Sequence, residues 1–196
     1  MSARLKFSIA VALLFCVSDA VQAQDHDAEV LSAAIAHFSN TKTKQNGEPP
    51  LLVIAGETIE AARIGLDHIE WADSPDVSRA VIRELRERNA NSQTIGEVHL
   101  PANAVLVRDA LSLIRRLTPT GAEVSDWSPL THAYPGYQLV QLAAPVYFTP
   151  GQRALVYFST TIGPGAMQGW VYVLEKRGEE WHVTSSESPW RSAAFA

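Results

Sequence analysis

Val30, Leu31, Ala34, Ile35 and Phe38 recur at helical spacing, with Asp27 placed where an N-cap would stand. This stripe predicts a first helix, ended by the polar run 39–50, which closes on two prolines. Leu51 to Ala55 is apolar throughout and predicts a short strand. Ser74-Pro75-Asp76 reads as a helix start: a capping hydroxyl, proline at the first position, then an acid that suits the helix dipole. Val77, Val81 and Leu85 give that helix a buried stripe. Arg79, Arg83, Glu84, Arg86, Glu87 and Arg88 give it a charged face, with Glu84 and Arg88 spaced as an i,i+4 pair. Gly96 to Leu100 and Ala104 to Val107 predict short strands, and Ala110 to Leu117 a brief helix stopped by Thr118-Pro119.

The pattern changes in the second half. Tyr137 to Phe148 predicts a long strand, in which Pro145 forces a bulge or an edge position. Residues 153–161 are apolar on both faces, as in a central strand, and 170–175 and 180–185 follow as neighbours. Lys-Arg-Gly-Glu supplies the last turn. Of the five Trp, five Tyr and six Phe, twelve fall after residue 120, which places the core there. The expected fold is α+β: an antiparallel C-terminal β-meander with a few helices packed on one face. Residues 24–120 would supply helices and short strands, and 121–190 the meander, in a single domain.

The N-terminus changes the picture of address. Arg4 and Lys6 precede an apolar run from Phe7 to Val17, and Val21-Gln22-Ala23 fits a signal-peptidase site, so residues 1–23 read as a cleaved signal peptide. Cys16 raises the rival of a lipoprotein, but the bulky Phe15 suits such a site poorly. The expected product is soluble, periplasmic or secreted, with no membrane insertion after cleavage.

Removal of the leader takes two bases and one acid, moving the formal charge from −5 to −6. An acidic balance argues against nucleic acid and anionic membranes as partners. It also takes Cys16, the one cysteine, so thiol catalysis, thiolate metal sites and disulfides are excluded from residues 24–196.

One resemblance bears on fold and address. Tyr134-Pro-Gly, Ala154-Leu-Val-Tyr, a Gly-rich loop, then Trp170-Val-Tyr-Val-Leu-Glu-Lys with Gly178 and Trp181-His-Val resembles the C-terminal half of a family of small, mostly uncharacterised bacterial proteins, most of them exported. The match covers about residues 134–183. Relatives often carry a Cys-Gly-rich motif in the loop between the two central strands. Here that loop is Thr161-Ile-Gly-Pro-Gly-Ala-Met-Gln-Gly169, without cysteine, so no role of those cysteines transfers. The resemblance implies a fold and an address, and no reaction.

Motifs for a nucleophile elbow, a zincin, a P-loop or an EF-hand are absent from the sequence. Asp67, His68 and Glu70 could do acid–base work or hold a metal, and the plainer reading is a solvated turn. Asp126, Trp127 and His132 form a second group beside the Tyr134 turn, and His182 lies alone on the last strand. A mature start at Gln24-Asp25-His26 could wrap Cu(II) through the α-amine, two amides and imidazole. Cyclisation of Gln24 would block it. No catalytic residue, metal site or cofactor is assigned.

The segment Gly163 to Gly169 is far longer than the two residues a tight hairpin needs. It reads as a recognition loop, with Gly163, Pro164, Gly165, Met167, Gln168 and Trp170 as binding residues and Trp127 and His132 nearby. The expected function is an exported, non-enzymatic binding protein, of inhibitor or immunity type, acting on a protein partner in the cell envelope. The alternative is a small periplasmic hydrolase whose Asp/Glu/His site forms only in the fold.

Overall fold

Each residue of Leu52 to Ala55 is fully buried, so this strand needs cover on both of its faces. That requirement organises the molecule. The computed structural model describes residues 26–42, 49–64, 77–117, 123–149, 151–163 and 166–192. In chain order these form helix α1 (26–42), β1 (Leu51–Ala55), α2 (Ala61–Ile64), α3 (Arg79–Arg88), β2 (Ala104–Val107) and α4 (Ala110–Ile114). Then come β3 (Arg115–Leu117), β4 (Glu123–Ser125), α5 (Ser128–Ala133), β5 (Tyr137–Leu142) and β6 (Val146–Phe148). The hairpins of β7 (Arg153–Gly163), β8 (Ala166–Arg177) and β9 (Glu180–Arg191) complete the chain.

Seven strands make one sheet in the order β2-β1-β5-β7-β8-β9, with β6 also paired to β7, while β3 and β4 form a separate ladder. The α+β class and the β7-β8-β9 meander are as expected. A purely antiparallel sheet is not: β1 pairs parallel with both β2 and β5, so the sheet is mixed. An apolar run such as Leu51 to Ala55 shows that a strand is buried, but periodicity carries no information on the direction of its neighbours.

The helices also cover both faces rather than one. Leu52, Ile54, Val140, Leu142, Val156, Phe158, Tyr172 and Leu174 face α1, whose Val30, Leu31, Ala34, Ile35 and Phe38 are all nearly inaccessible. Burying each such aliphatic or aromatic side chain contributes roughly 1.5–3 kcal/mol, which is why α1 docks as an unbroken stripe. The alternate residues point the other way. Leu155, Tyr157, Val171 and Val173 meet Val81, Ile82 and Leu85 of α3. Val53, Ala55, Tyr137 and Leu139 meet α4 and Leu130 of α5.

The proline break is real: Leu142 pairs with Phe158 and Val146 with Leu155, leaving a bulge at 143–145, where Ala143 N donates to Tyr157 O at 2.8 Å. Helix α3 begins at Arg79 and is capped by Ser78, whose Oγ accepts from Val81 N at 3.4 Å, while Ser74, Pro75 and Asp76, read as the helix start, lie outside the described residues. Gly96 to Leu100 is not a strand. It runs beside α1, with His99 N donating to Ser32 Oγ at 2.8 Å. The helix expected to Leu117 stops at Ile114, and 115–117 pair with β4.

Candidate functional site

The β7–β8 ladder continues to the Gly163–Ala166 pair, leaving Pro164 and Gly165 between the strands. The long recognition loop is therefore mostly strand, since Met167, Gln168 and Gly169 pair with Thr161, Thr160 and Ser159. Its glycines misled because Gly169 serves packing: the Trp190 indole lies where a Cβ would stand. Pro164 and Gly165 themselves lie outside the described residues.

What the hairpin end presents is nonetheless a surface. Ile162 is 55% exposed, unusual for a large aliphatic side chain here. It sits at the register shift between Thr161 and Gly163, without a partner in the ladder. Trp170, half-buried, stacks on Phe158 with centroids 6.3 Å apart and planes 12° from parallel, and it meets the edge of Phe38 at 5.6 Å. Its indole Nε1 donates to Thr160 Oγ1 at 3.2 Å. Lys42 Nζ, from the end of α1, stands 5.0 Å from the Trp170 ring centroid, and burial of its stem pushes the Lys42 pKa down. Gln168 Nε2 donates to Ser188 Oγ at 2.7 Å and Met167 N to Ser192 Oγ at 2.9 Å, so β9 buttresses this end.

Trp127 and His132 are not part of that surface. Trp127 packs against the Val53, Ala55 and Leu130 cluster, on the face of the sheet opposite to Trp170. Asp126 Oδ1 accepts from Ser128 N at 3.0 Å, a turn-forming bond at the start of α5, and His132 is exposed. His182 is exposed on β9, with Nε2 3.6 Å from Glu180. His26 lies 3.5 Å from Glu29. Asp67, His68, Glu70, Gln24 and Asp25 lie outside the described residues, among which no three of His, Cys, Asp and Glu gather as a metal set would.

A second region escaped the sequence reading. At the carboxyl ends of the parallel strands β1, β2 and β5 lies a cleft between α1 and the segment 93–99. One chamber of about 490 Å³ is lined by Ala28, Glu29, Glu97, His99, Leu106 and Arg108. An adjoining chamber of about 320 Å³ is lined by Asp27, Leu31, Thr58, Gln93, Ile95 and Ala144. The carboxyl ends of parallel strands are where open α/β sheets place ligands, because the loops diverge there.

Asp27 anchors the inner wall. Arg88 Nη2 donates to its Oδ1 at 3.0 Å and its Oδ2 at 2.7 Å, and the Tyr147 hydroxyl donates to Oδ1 at 2.9 Å. The guanidinium lies 5.6 Å from the Tyr147 ring centroid, whose other neighbour is Trp181 at 6.0 Å. Burial raises the Asp27 pKa above its ordinary value, outweighing the attraction of Arg88 and the hydrogen bond from Tyr147. Burial, and then the adjacent Asp27 charge, raises the Tyr147 phenol strongly. Asp27 thus lies within the helix rather than capping it through its carboxylate, and Arg88 turns to Asp27 rather than to Glu84. On the charged face of α3, Arg83 and Glu87 lie 3.9 Å apart. A signal was present. Asp27 continues the 31, 34, 38 stripe of α1, and Arg88 continues the 81, 85 stripe of α3, so each charge stands where an apolar residue would. Such positions call for a partner.

Compared with family models, with curated proteins and with solved structures, the chain matches none, so its geometry is the ground on which a function is proposed.

Proposed function

We propose that the chain is an exported, non-enzymatic binding protein that engages a protein partner in the cell envelope, in the manner of an inhibitor or immunity protein. The observation that carries this reading is the exposed Ile162 near the end of the β7–β8 hairpin, on a ladder that also carries the half-buried Trp170, over which Lys42 stands. Rigid aromatic anchors and apolar side chains concentrate binding energy, and a hairpin held between β5 and β9 presents them at little ordering cost. Gly163, Met167 and Gln168 border the same end. The leader pattern of residues 1–23 and the resemblance of residues 134–183 to exported bacterial proteins support the address. Among the described residues no helix is long and apolar enough to cross a membrane.

A hydrolase reading would centre on Asp27, the half-buried carboxylate in the cleft. Both of its oxygens are already occupied by Arg88 and Tyr147, which suits a brace better than a base.

A photo-crosslinking residue at position 162, with position 132 on the opposite face as the control, tests the surface in living cells. The expected result is one envelope protein trapped from 162 and not from 132, and lost on Trp170→Ala. Equal trapping at both positions, or none, overturns it. Intact mass of the released form tests the address: a start at Gln24, free or cyclised, is expected, and a lipidated Cys16 start overturns it.

A further inference from the structure

We propose that the cleft at the carboxyl ends of β1, β2 and β5 binds a small aliphatic zwitterion, a free α-amino acid or a short peptide. The site is independent of the hairpin surface, which lies at the opposite end of α1.

The argument starts from charges that leave each other alone. Arg108, at the end of β2, takes no ion pair or hydrogen bond among the described residues, nor does the Glu97 carboxylate, although both line the same chamber. Glu29 on α1, which lines the same chamber, meets only His26 among the described residues, at 3.5 Å. Opposite charges in one groove, unneutralised and carried on separate elements, match a ligand with an amine at one end and a carboxylate at the other. Arg offers a planar, bidentate fit to a carboxylate, and a carboxylate side chain accepts from an ammonium.

The backbones beneath these groups are fixed. Gly56 N donates to Val107 O at 2.9 Å, and a Cβ on Gly56 would come within 2.5 Å of the Arg108 Cα. Only glycine therefore lets β1 and the Arg108 turn approach so closely. On the other wall, Ile95 N donates to Gly56 O at 2.9 Å and His99 N to Ser32 Oγ at 2.8 Å, which holds Glu97 between two anchored residues. The backbones that carry Arg108 and Glu97 are thus held in place, while both side chains are exposed and free to turn toward a ligand. The apolar part of the lining is Ala28, Val98 and Leu106, which suits an aliphatic side chain. The volume of about 490 Å³ accommodates a molecule of amino-acid to dipeptide size.

Gly96 supplies a plug. It lines both chambers, and a Cβ there would meet nothing within 4 Å, so Gly96→Phe has room for its first atom and would fill the cleft. Calorimetric titration of the purified protein with L-leucine, leucyl-leucine, leucinamide and N-acetylleucine reads out the proposal. Saturable binding of leucine or of the dipeptide is expected, and which one binds tells a free amino acid from a peptide. Loss of either charged end should weaken binding by about tenfold or more, the usual worth of a charge-assisted hydrogen bond. Arg108→Ala should weaken leucine by a similar factor and leave leucinamide unchanged, because leucinamide has no carboxylate to lose. Gly96→Phe should abolish binding at an unchanged melting temperature. The proposal is overturned if neither leucine nor the dipeptide saturates at millimolar concentration, or if Arg108→Ala weakens leucine and leucinamide alike. Undiminished binding by Gly96→Phe would also overturn it. Should Gly96→Phe fail to fold, the exposed Arg108 still decides the matter.

Discussion

Arg88 and Asp27 meet at 2.7 Å across 61 residues of sequence, joining the last turn of α3 to the first described turn of α1 on the other side of the sheet. The pair wraps around the carboxyl end of the parallel strands, with Tyr147 between them. It ties the two helical layers together where no strand ladder does.

Removing one partner of this pair should cost more than removing an exposed one. Both side chains are mostly buried, at 27% and 19% exposure, so Arg88→Met leaves a carboxylate that water reaches poorly. A loss of about 2–4 kcal/mol is expected, by analogy with fully buried pairs at 3–5. Arg83→Met, on the exposed 3.9 Å pair with Glu87, should cost under about 1 kcal/mol. Urea midpoints of the two variants at neutral pH make the comparison.

The pH response of the same pair has an unusual sign. The folded-state pKa of Asp27 is raised above 3.8, so in the window above that value the folded chain holds a proton that the unfolded chain has lost. Acidification through this window therefore adds stability from Asp27, and the contribution fades as the pH rises past the folded-state pKa. Measured from pH 7 down to pH 4, the stability of the parent should improve relative to Asp27→Asn. A relative fall would mean that attraction to Arg88 outweighs burial.

Two tryptophans should separate by depth. Trp181 is 8% exposed and packs against Tyr147, so Trp181→Ala should cost about 3–5 kcal/mol. Trp170 is half-buried and gives up its stack on Phe158, its edge contact with Phe38 and its bond to Thr160, so Trp170→Ala should cost less than Trp181→Ala. Equal melting of both variants and the parent would contradict this packing.

Gly169 offers a test of the misread loop. Gly169→Ala places a methyl against the Trp190 indole and should cost about 1–3 kcal/mol. Trp190→Leu in the same chain should recover part of that loss. A mobile loop glycine would show neither effect.

The stripes of α1 and α3, the proline break after Leu142 and the β7-β8-β9 meander were legible because each is written in local periodicity or in a backbone restriction. Parallel pairing of β1 was not, since Leu52 to Ala55 would look the same beside antiparallel neighbours. Gly169 was misjudged because a glycine that admits an indole and one that frees a loop are the same letter. The cleft was invisible because Asp27, Thr58, Arg88 and Arg108 come from four separate stretches of chain. Only the two charges on apolar stripes hinted at it.

The cover that α1 provides has a consequence for the order in which the chain can be made. The helix is the first described element, yet it rests on Phe158, Tyr172, Leu174 and Trp181, residues from the last three strands. Until those strands are synthesised, the stripe from Val30 to Phe38 lacks much of its seat. Contacts between the two ends of a chain delay folding, because the long intervening loop must close first. A nascent chain that ends before β8 should therefore stay open and degradable by protease, and closure should come only with the final hairpin.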